Sequence, residues 1–296
     1  MEHGSVIPIL LLPRHISSTP QRRPLLEQIK SVLNASYRIT HGSRPDIFDT
    51  VYTRFPDAIQ LTDIIGKDGF TVALVRSEST DERHGKCWKI LATGSVKRWK
   101  EGKVETYEQW GEKMWPESEE QLGDVKFRDE SNEEALNKAA VHVAEDRGVT
   151  KYELTGFAVS PTAQGAGLGV RVLEEIEWLV SYWHKDSFLQ LLLENESTVK
   201  KIQFEHGSES GGLEGFSVRK IRDMTLLDGD WDFNAGSRPQ LVLLCIRELG
   251  TEAYYQRRGF KTKWSGPVPV GVWDNKKECT VAYMERDRQQ GIVYMN

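Results

Sequence analysis

Apolar and polar positions along this chain switch repeatedly between a strand-like and a helix-like period, and the switches mark its elements. Residues 6–12, "VIPILLL", form a continuous apolar run that reads as a buried first strand. A helix is expected over residues 19–38. Thr19 stands as its N-cap, and Leu25, Leu26, Ile29, Val32 and Leu33 fall on one face. Pro56 and Gly66 bracket a short helix over residues 57–65. "FTVALVRS" and "CWKILATGSVKRW" are two strands around the polar turn "ESTDERHGK".

The rhythm then breaks over residues 101–148, which hold 14 Asp and Glu against 6 Lys and Arg. Inside this stretch Ser131 and Glu134 make a capping box before an apolar stripe that stops at Gly148, and the whole reads as a solvated insertion around one helix. "KYELTGFAVS" is an apolar strand, followed by a helix on which Leu173, Ile176, Leu179, Val180 and Trp183 share a face and Glu174, Glu175 and Glu177 lie elsewhere. Residues 196–238 are irregular, rich in Gly, Ser and charge. "PQLVLLCIREL" is a strongly apolar strand, "GTEAYYQRRGF" a short helix ending at Gly259, and the remainder a long hairpin. The order is mixed α/β or α+β, with no fixed-period repeat, in one domain over residues 1–296 with insertions at about 101–148 and 186–238.

Composition narrows the function classes. Charged residues make up 28% and the formal net charge is -5, so the overall balance argues against a nucleic-acid partner. The three cysteines, Cys87, Cys245 and Cys279, lie far apart without a CxxC or CxxH pair, which signals neither a zinc site nor a disulfide framework. The scattered histidines, His142 and His184 among them, lack metal spacing, and no metal is expected. The first apolar run is too short to be a signal peptide or membrane span. An intracellular, cytoplasmic protein is expected, and the sequons at Asn34 and Asn195 carry no meaning there.

One stretch is chemically pointed. In "VSPTAQGAGLG", residues 159–169, a strand end runs into a loop of Gln164, Gly165, Ala166, Gly167, Leu168 and Gly169 and then into a helix. The first N–H groups of a helix have no intrahelical partner, and glycines let backbone amides come close to a phosphate. The loop lacks the Lys-Ser or Lys-Thr of a P-loop and the G-x-G-x-x-G of a dinucleotide site. It resembles the pyrophosphate loop of the GNAT superfamily of N-acetyltransferases, Q/R-x-x-G-x-G/A after V-x-P, at Val159, Pro161, Gln164, Gly167 and Gly169. A second landmark of that superfamily, a helix ending Y-x-x-x-G-F, is matched by Tyr255, Gly259 and Phe260. The resemblance covers the framework but neither insertion.

That resemblance implies a central, mostly antiparallel sheet splayed at its middle, with acetyl-CoA held between residues 157–159 and the strand "LVLLCIREL". The backbone of Phe157 and Val159 would pair with the pantetheine arm, an N–H at Ala158 or Val159 would polarise the thioester carbonyl, and Gly156 is the candidate bulge. Glu153 matches the general base of the histone-acetylating branch, with Ser160 a weaker relay. Tyr255 matches the acid that protonates the leaving thiolate, with Tyr254 one residue away as its alternative. Where many relatives carry an Asn contacting pantetheine, this chain has Glu248, beside Arg247. The resemblance implies direct transfer to a primary amine of a small molecule, and a homodimer is common among relatives. A protein lysine or N-terminal acetyltransferase and a non-catalytic CoA-binding module are the competing readings. Cys245 in an apolar strand is expected to be inert rather than a nucleophile, and Trp99, Trp110 and Trp115 are read as packing residues, with an acceptor-pocket lining as the alternative.

Overall fold

The computed structural model describes residues 5–16, 23–49, 53–66, 69–79, 86–99, 150–183, 192, 215–227, 239–268, 270–271 and 275–286. The chain divides into two compact units: Met1–Ile39, Thr53–Arg98 and Leu154–Pro239 in one, Thr40–Tyr52, Trp99–Glu153 and Gln240–Asn296 in the other.

In the first unit β1 (Val6–Leu11), β2 (Phe70–Ser79) and β3 (Lys86–Arg98) lie beside β4 (Lys151–Val159), which enters this unit at Leu154. The printed pairings are antiparallel, running Val6↔Arg76 to Leu11↔Thr71 and Phe70↔Val96 to Ser79↔Lys86. The register slips between Leu74 and Val75, which leaves Leu91 of β3 without an opposite residue. Helix α1 (Arg23–Gly42) continues four residues beyond the expected Arg38, and Thr19 lies outside the described residues. Its apolar face, Leu25, Leu26, Ile29 and Leu33, packs with Leu61 and Ile65 of α2 (Ile59–Ile65) against Ile9, Ala73, Val75, Ile90 and Ala158. Asn34 donates to the Phe55 carbonyl and accepts from the Phe55 N–H, both at 2.9 Å, so this sequon's amide is committed to fixing the approach to α2. At α2 itself Asp57 accepts from the Ile59 N–H at 3.0 Å, and Gly66 closes the helix at φ 64°.

Helix α3 (Leu168–Trp183) packs on β2 and β3 with Val172 and Ile176. Its approach depends on Gly94, where an added Cβ would stand 2.7 Å from Ile176 Cδ1 and 2.8 Å from Val172 Cγ1. Gly94→Ala is therefore expected to cost about 1–3 kcal/mol through overpacking, read as a lower urea midpoint at unchanged m-value.

Part of the stretch expected to be irregular is regular. Residues 216–227 form β5 (Phe216–Ser217), antiparallel to β1, and α4 (Val218–Leu227). The missed signal is Val218 and Ile221, one turn apart and both 0% exposed. Arg222 of α4 pairs with Glu175 of α3 at 2.6 Å and lies 5.0 Å from the Trp178 ring. Glu175 is consequently buried on α3 although it stands off the apolar stripe. Burial pushes its carboxyl above the usual range against the pull of Arg222 and Arg171.

The second unit holds the first residues of β4 and the strands β6 (Gln240–Ile246), β7 (Phe260–Val268) and β8 (Cys279–Arg286), in the order β6-β8-β7 and antiparallel throughout. The expected hairpin is β7 and β8. Phe48 bridges to Asn275 and packs with Ile47, Val268, Cys279 and Val281. Each unit is thus helix against a mostly antiparallel sheet, the mixed α+β class expected from the element order.

Candidate functional site

The glycine loop belongs to the first unit. Gly156, inside β4, takes φ 53°, a left-handed conformation that favours glycine. Beyond it Ala158 is in the core while Phe157 and Val159 are half-buried. The Ser160 N–H donates to the Leu91 carbonyl at 2.7 Å, so the unmatched residue of β3 receives the end of β4. The Ser160 hydroxyl is within 3.1 Å of the Thr162 hydroxyl in the turn that follows.

Gln164, Gly165, Ala166 and Gly167 are then exposed, whereas Leu168 and Gly169 are buried at the start of α3. Gly165 and Gly167 sit at φ 82° and 74°, and a Cβ on either would meet nothing within 4 Å. The conformation demands glycine, and the space above the backbone is open. No acidic residue occupies the first turn of α3, so the partial positive charge of that helix end is uncontested by its own side chains. The donor set and the open cradle suit a phosphate-bearing ligand.

Glu153 and Tyr255 belong to the second unit. Glu153 is buried at 8% exposure. Tyr255 lies on the short helix α5 (Thr251–Gln256), half-buried and edge-on to Tyr254 at 5.2 Å and Phe260 at 5.7 Å. Tyr254 is differently placed, with the Arg258 guanidinium 3.4 Å from its ring centre and also donating to its carbonyl. Burial raises the Tyr254 phenol, with Arg258 opposing. Helix α5 is tied to β7 by Glu252, which accepts from Thr262 at 2.6 Å and from Arg247 at 2.7 Å. Arg247 is therefore engaged by α5. Glu248 has a structural task of its own, since both its oxygens lie 2.9 Å from the Thr280 N–H at the start of β8.

Cys245 is buried on β6 with its Sγ donating to Met284 Sδ at 3.6 Å, and burial pushes its thiol up to about 12. Such a thiol supplies almost no thiolate at neutral pH, in keeping with an inert strand cysteine. Trp99 packs on Tyr283 with centroids 5.4 Å apart. Trp110, Trp115, His142 and His184 lie outside the described residues. Among the described residues no group of three or more His, Cys, Asp or Glu is placed to hold a metal, and no helix is long and apolar enough to cross a membrane.

A polar cluster in the second unit went unread in the sequence. The Lys151 ammonium donates to Glu285 Oε1 at 2.8 Å, the Tyr283 hydroxyl to the same oxygen at 2.7 Å, and Gln240 to Oε2 at 3.1 Å. Lys151 and Glu285 are 6% and 1% exposed. The available signal was two charges in each of two otherwise uncharged strands, Lys151 and Glu153 in "KYELTGFAV" and Glu285 and Arg286 in "CTVAYMER".

No family model matches the sequence, and no curated protein does. Solved structures similar to the chain include a protein assigned to the GNAT family of acetyltransferases from Desulfovibrio desulfuricans, at 11% identity and TM-score 0.37 over 96% of this chain and 99% of that one. FeeM, an N-acyl amino acid synthase from uncultured soil microbes, is similar at 10% identity and TM-score 0.34 over 95% and 91% of the two chains. Escherichia coli ElaA is similar at 8% identity and TM-score 0.34 over 96% and 100%.

Proposed function

We propose that the protein is an acetyl-CoA-dependent N-acetyltransferase that transfers acetyl directly to a primary amine of a small molecule. The observation that carries this reading is the exposed, acid-free glycine loop between β4 and α3, with Gly165 and Gly167 in left-handed conformations, on the sequence that resembles a pyrophosphate loop. Gln164, Gly165, Ala166, Gly167, Leu168 and Gly169 would hold the pyrophosphate through backbone N–H groups. Phe157 and Val159 would pair with the pantetheine arm, and the N–H of Ala158 or Val159 would face the carbonyl oxygen.

When bound, the thioester supplies an acyl carbon to which the acceptor nitrogen bonds as the C–S bond breaks and the thiolate leaves with the electron pair. An alkylammonium, with a pKa about 10, must first lose a proton. Glu153 takes it, directly or through water. Tyr255 gives a proton to the thiolate, its phenol holding that proton until a stronger base appears, and the phenolate is reprotonated by the second proton that the acceptor nitrogen sheds as the amide forms, directly or through water. Tyr255 is favoured over Tyr254 because Arg258 covers the Tyr254 ring. The whole chain is taken as one domain, in the cytoplasm and without metal.

The test is CoA-thiol release from acetyl-CoA across polyamines, aromatic amines, amino sugars and lysine-bearing peptides. Turnover with one small amine class supports the reading. Turnover confined to the peptides would replace it with the protein-acetylating alternative. A rise in melting temperature with acetyl-CoA but no turnover across the panel would point to a binding module.

A further inference from the structure

Helix α5 is too short to hold itself. It spans six residues, and isolated helices below about 12–15 residues are marginal in water. Its place, and its rotation about its own axis, are therefore those its anchors give it. The anchors described here all lie in the second unit. At the entry a 3₁₀ turn, Arg247–Leu249, leads into Gly250 at φ 70°. The Glu248 carbonyl accepts from the Arg44 guanidinium at 3.0 Å, and the Glu248 carboxylate accepts from the Thr280 N–H. At the exit the Arg286 guanidinium of β8 donates to the Arg258 carbonyl. Contacts at the two ends fix where the helix lies more than which way it is turned.

The turn is set by what its side chains meet on β7. Glu252 and Tyr255 stand three positions apart on α5, close to one helical turn, so they lie on one side of it. Phe260 and Thr262 stand two apart on β7, ahead of the register slip between Thr262 and Trp264, so the pleat sets them on one face. The two pairs meet in order. The Thr262 hydroxyl donates to Glu252 Oε1 at 2.6 Å, and the Tyr255 and Phe260 rings stand edge-on with centroids 5.7 Å apart. An edge-on ring contact tolerates sliding over a range of centroid distances, whereas a hydrogen bond to a carboxylate is short and directional. The Glu252 side chain is 13% exposed and is itself held, accepting also from Arg247 at 2.7 Å and from Gln256 at 3.3 Å.

We propose that Glu252 and Thr262 are positioning residues for the proton given to the thiolate: their hydrogen bond fixes the rotation of α5 and with it the place of the Tyr255 phenol. This rests on the reading of Tyr255 as the acid. A rotation of α5 that breaks the bond swings Glu252 and Tyr255 together, because they share one side of the helix.

The experiment takes two readouts on the full chain. In the first, without acetyl-CoA, the ring signals of 13C-labelled tyrosine are recorded, and that of Tyr255 is assigned by its loss in Tyr255→Phe. Thr262→Val removes the donor at nearly constant size and is expected to shift the Tyr255 signal, whereas Thr262→Ser keeps it at the parental position. In the second, kcat is measured with the amine identified in the panel. Thr262→Val is expected to lower kcat about 10- to 100-fold, the scale on which a small misplacement acts, with KM for acetyl-CoA little changed. Thr262→Ser should stay within a few-fold of the parent. In the Tyr255→Phe background Thr262→Val should cause no further loss, because the group it positions is already gone. If Thr262→Val fails to fold, Glu252→Met removes the acceptor instead and carries both readouts. An unmoved Tyr255 signal, a parental kcat, or a loss undiminished in the Tyr255→Phe background each overturns the positioning role, even where Tyr255→Phe itself is slow. Tyr255→Phe at the parental rate overturns the acid reading instead, and with it the catalytic purpose assigned to the pair.

Discussion

Glu153→Gln is expected to lower kcat/KM for acetyl transfer by about 10²- to 10⁴-fold, the range in which a positioned general base contributes. Glutamine keeps the size and hydrogen-bonding reach of the side chain at its buried place on β4 but cannot take a proton. The loss should therefore appear in turnover, while acetyl-CoA raises the melting temperature of the variant as it does that of the parent. Tyr255→Phe should fall within the same range, because it removes only the proton returned to the thiolate and leaves the ring contacts with Tyr254 and Phe260. Tyr254→Phe serves as the control. Its ring can remain beneath Arg258, so activity should stay within a few-fold of the parent. Steady-state kinetics with the amine identified in the panel, beside acetyl-CoA thermal shifts for all three variants, separates lost chemistry from lost binding. A Glu153→Gln enzyme as fast as the parent would remove that residue from the mechanism.

The largest effect on stability is expected at Glu285 on β8. Glu285→Leu removes the acceptor of three hydrogen bonds at once, from Lys151, Tyr283 and Gln240, and leaves the ammonium of a residue 6% exposed without its carboxylate. Breaking one side of a buried ion pair costs about 3–5 kcal/mol, because the remaining charge keeps its desolvation penalty and loses its compensation. Replacing both partners, as in Lys151→Met with Glu285→Leu, should recover most of that loss. Urea denaturation of the parent, the two single variants and the double variant gives the coupling directly. A Glu285→Leu midpoint within experimental error of the parent would mean that the cluster is not closed to water.

Much of the framework was legible in the sequence because it is set by local periodicity and by residues with narrow conformational roles. The apolar stripe of α1 continues in the helix that forms, and Gly66 stops α2 where a glycine was expected to stop it. The strand–glycine loop–helix reading over residues 159–169 agrees with the backbone observed, down to the left-handed Gly165 and Gly167. Helix α4 was hidden by composition. Gly, Ser and charge dominate the stretch around it, and its two buried apolar positions gain meaning only from the neighbouring β1. Glu248 stands where relatives of the resembled superfamily carry a pantetheine-contacting Asn, and the task its carboxylate has here, accepting from the Thr280 N–H 32 residues away, is invisible in the local sequence.

By itself, then, the sequence determined the elements, the loop able to receive an anion, and the residue types available for proton transfer. Each follows from interactions within a few residues along the chain: helix and strand periods, caps, and the φ preference of glycine. Tertiary structure alone decided which charges are buried together. Lys151 and Glu285 are 134 positions apart, and nothing in either strand's own pattern specifies a partner. Their pairing arises when β4 and β8 enter the same unit, because a charge that loses its water must find a counter-charge wherever the folded chain places one.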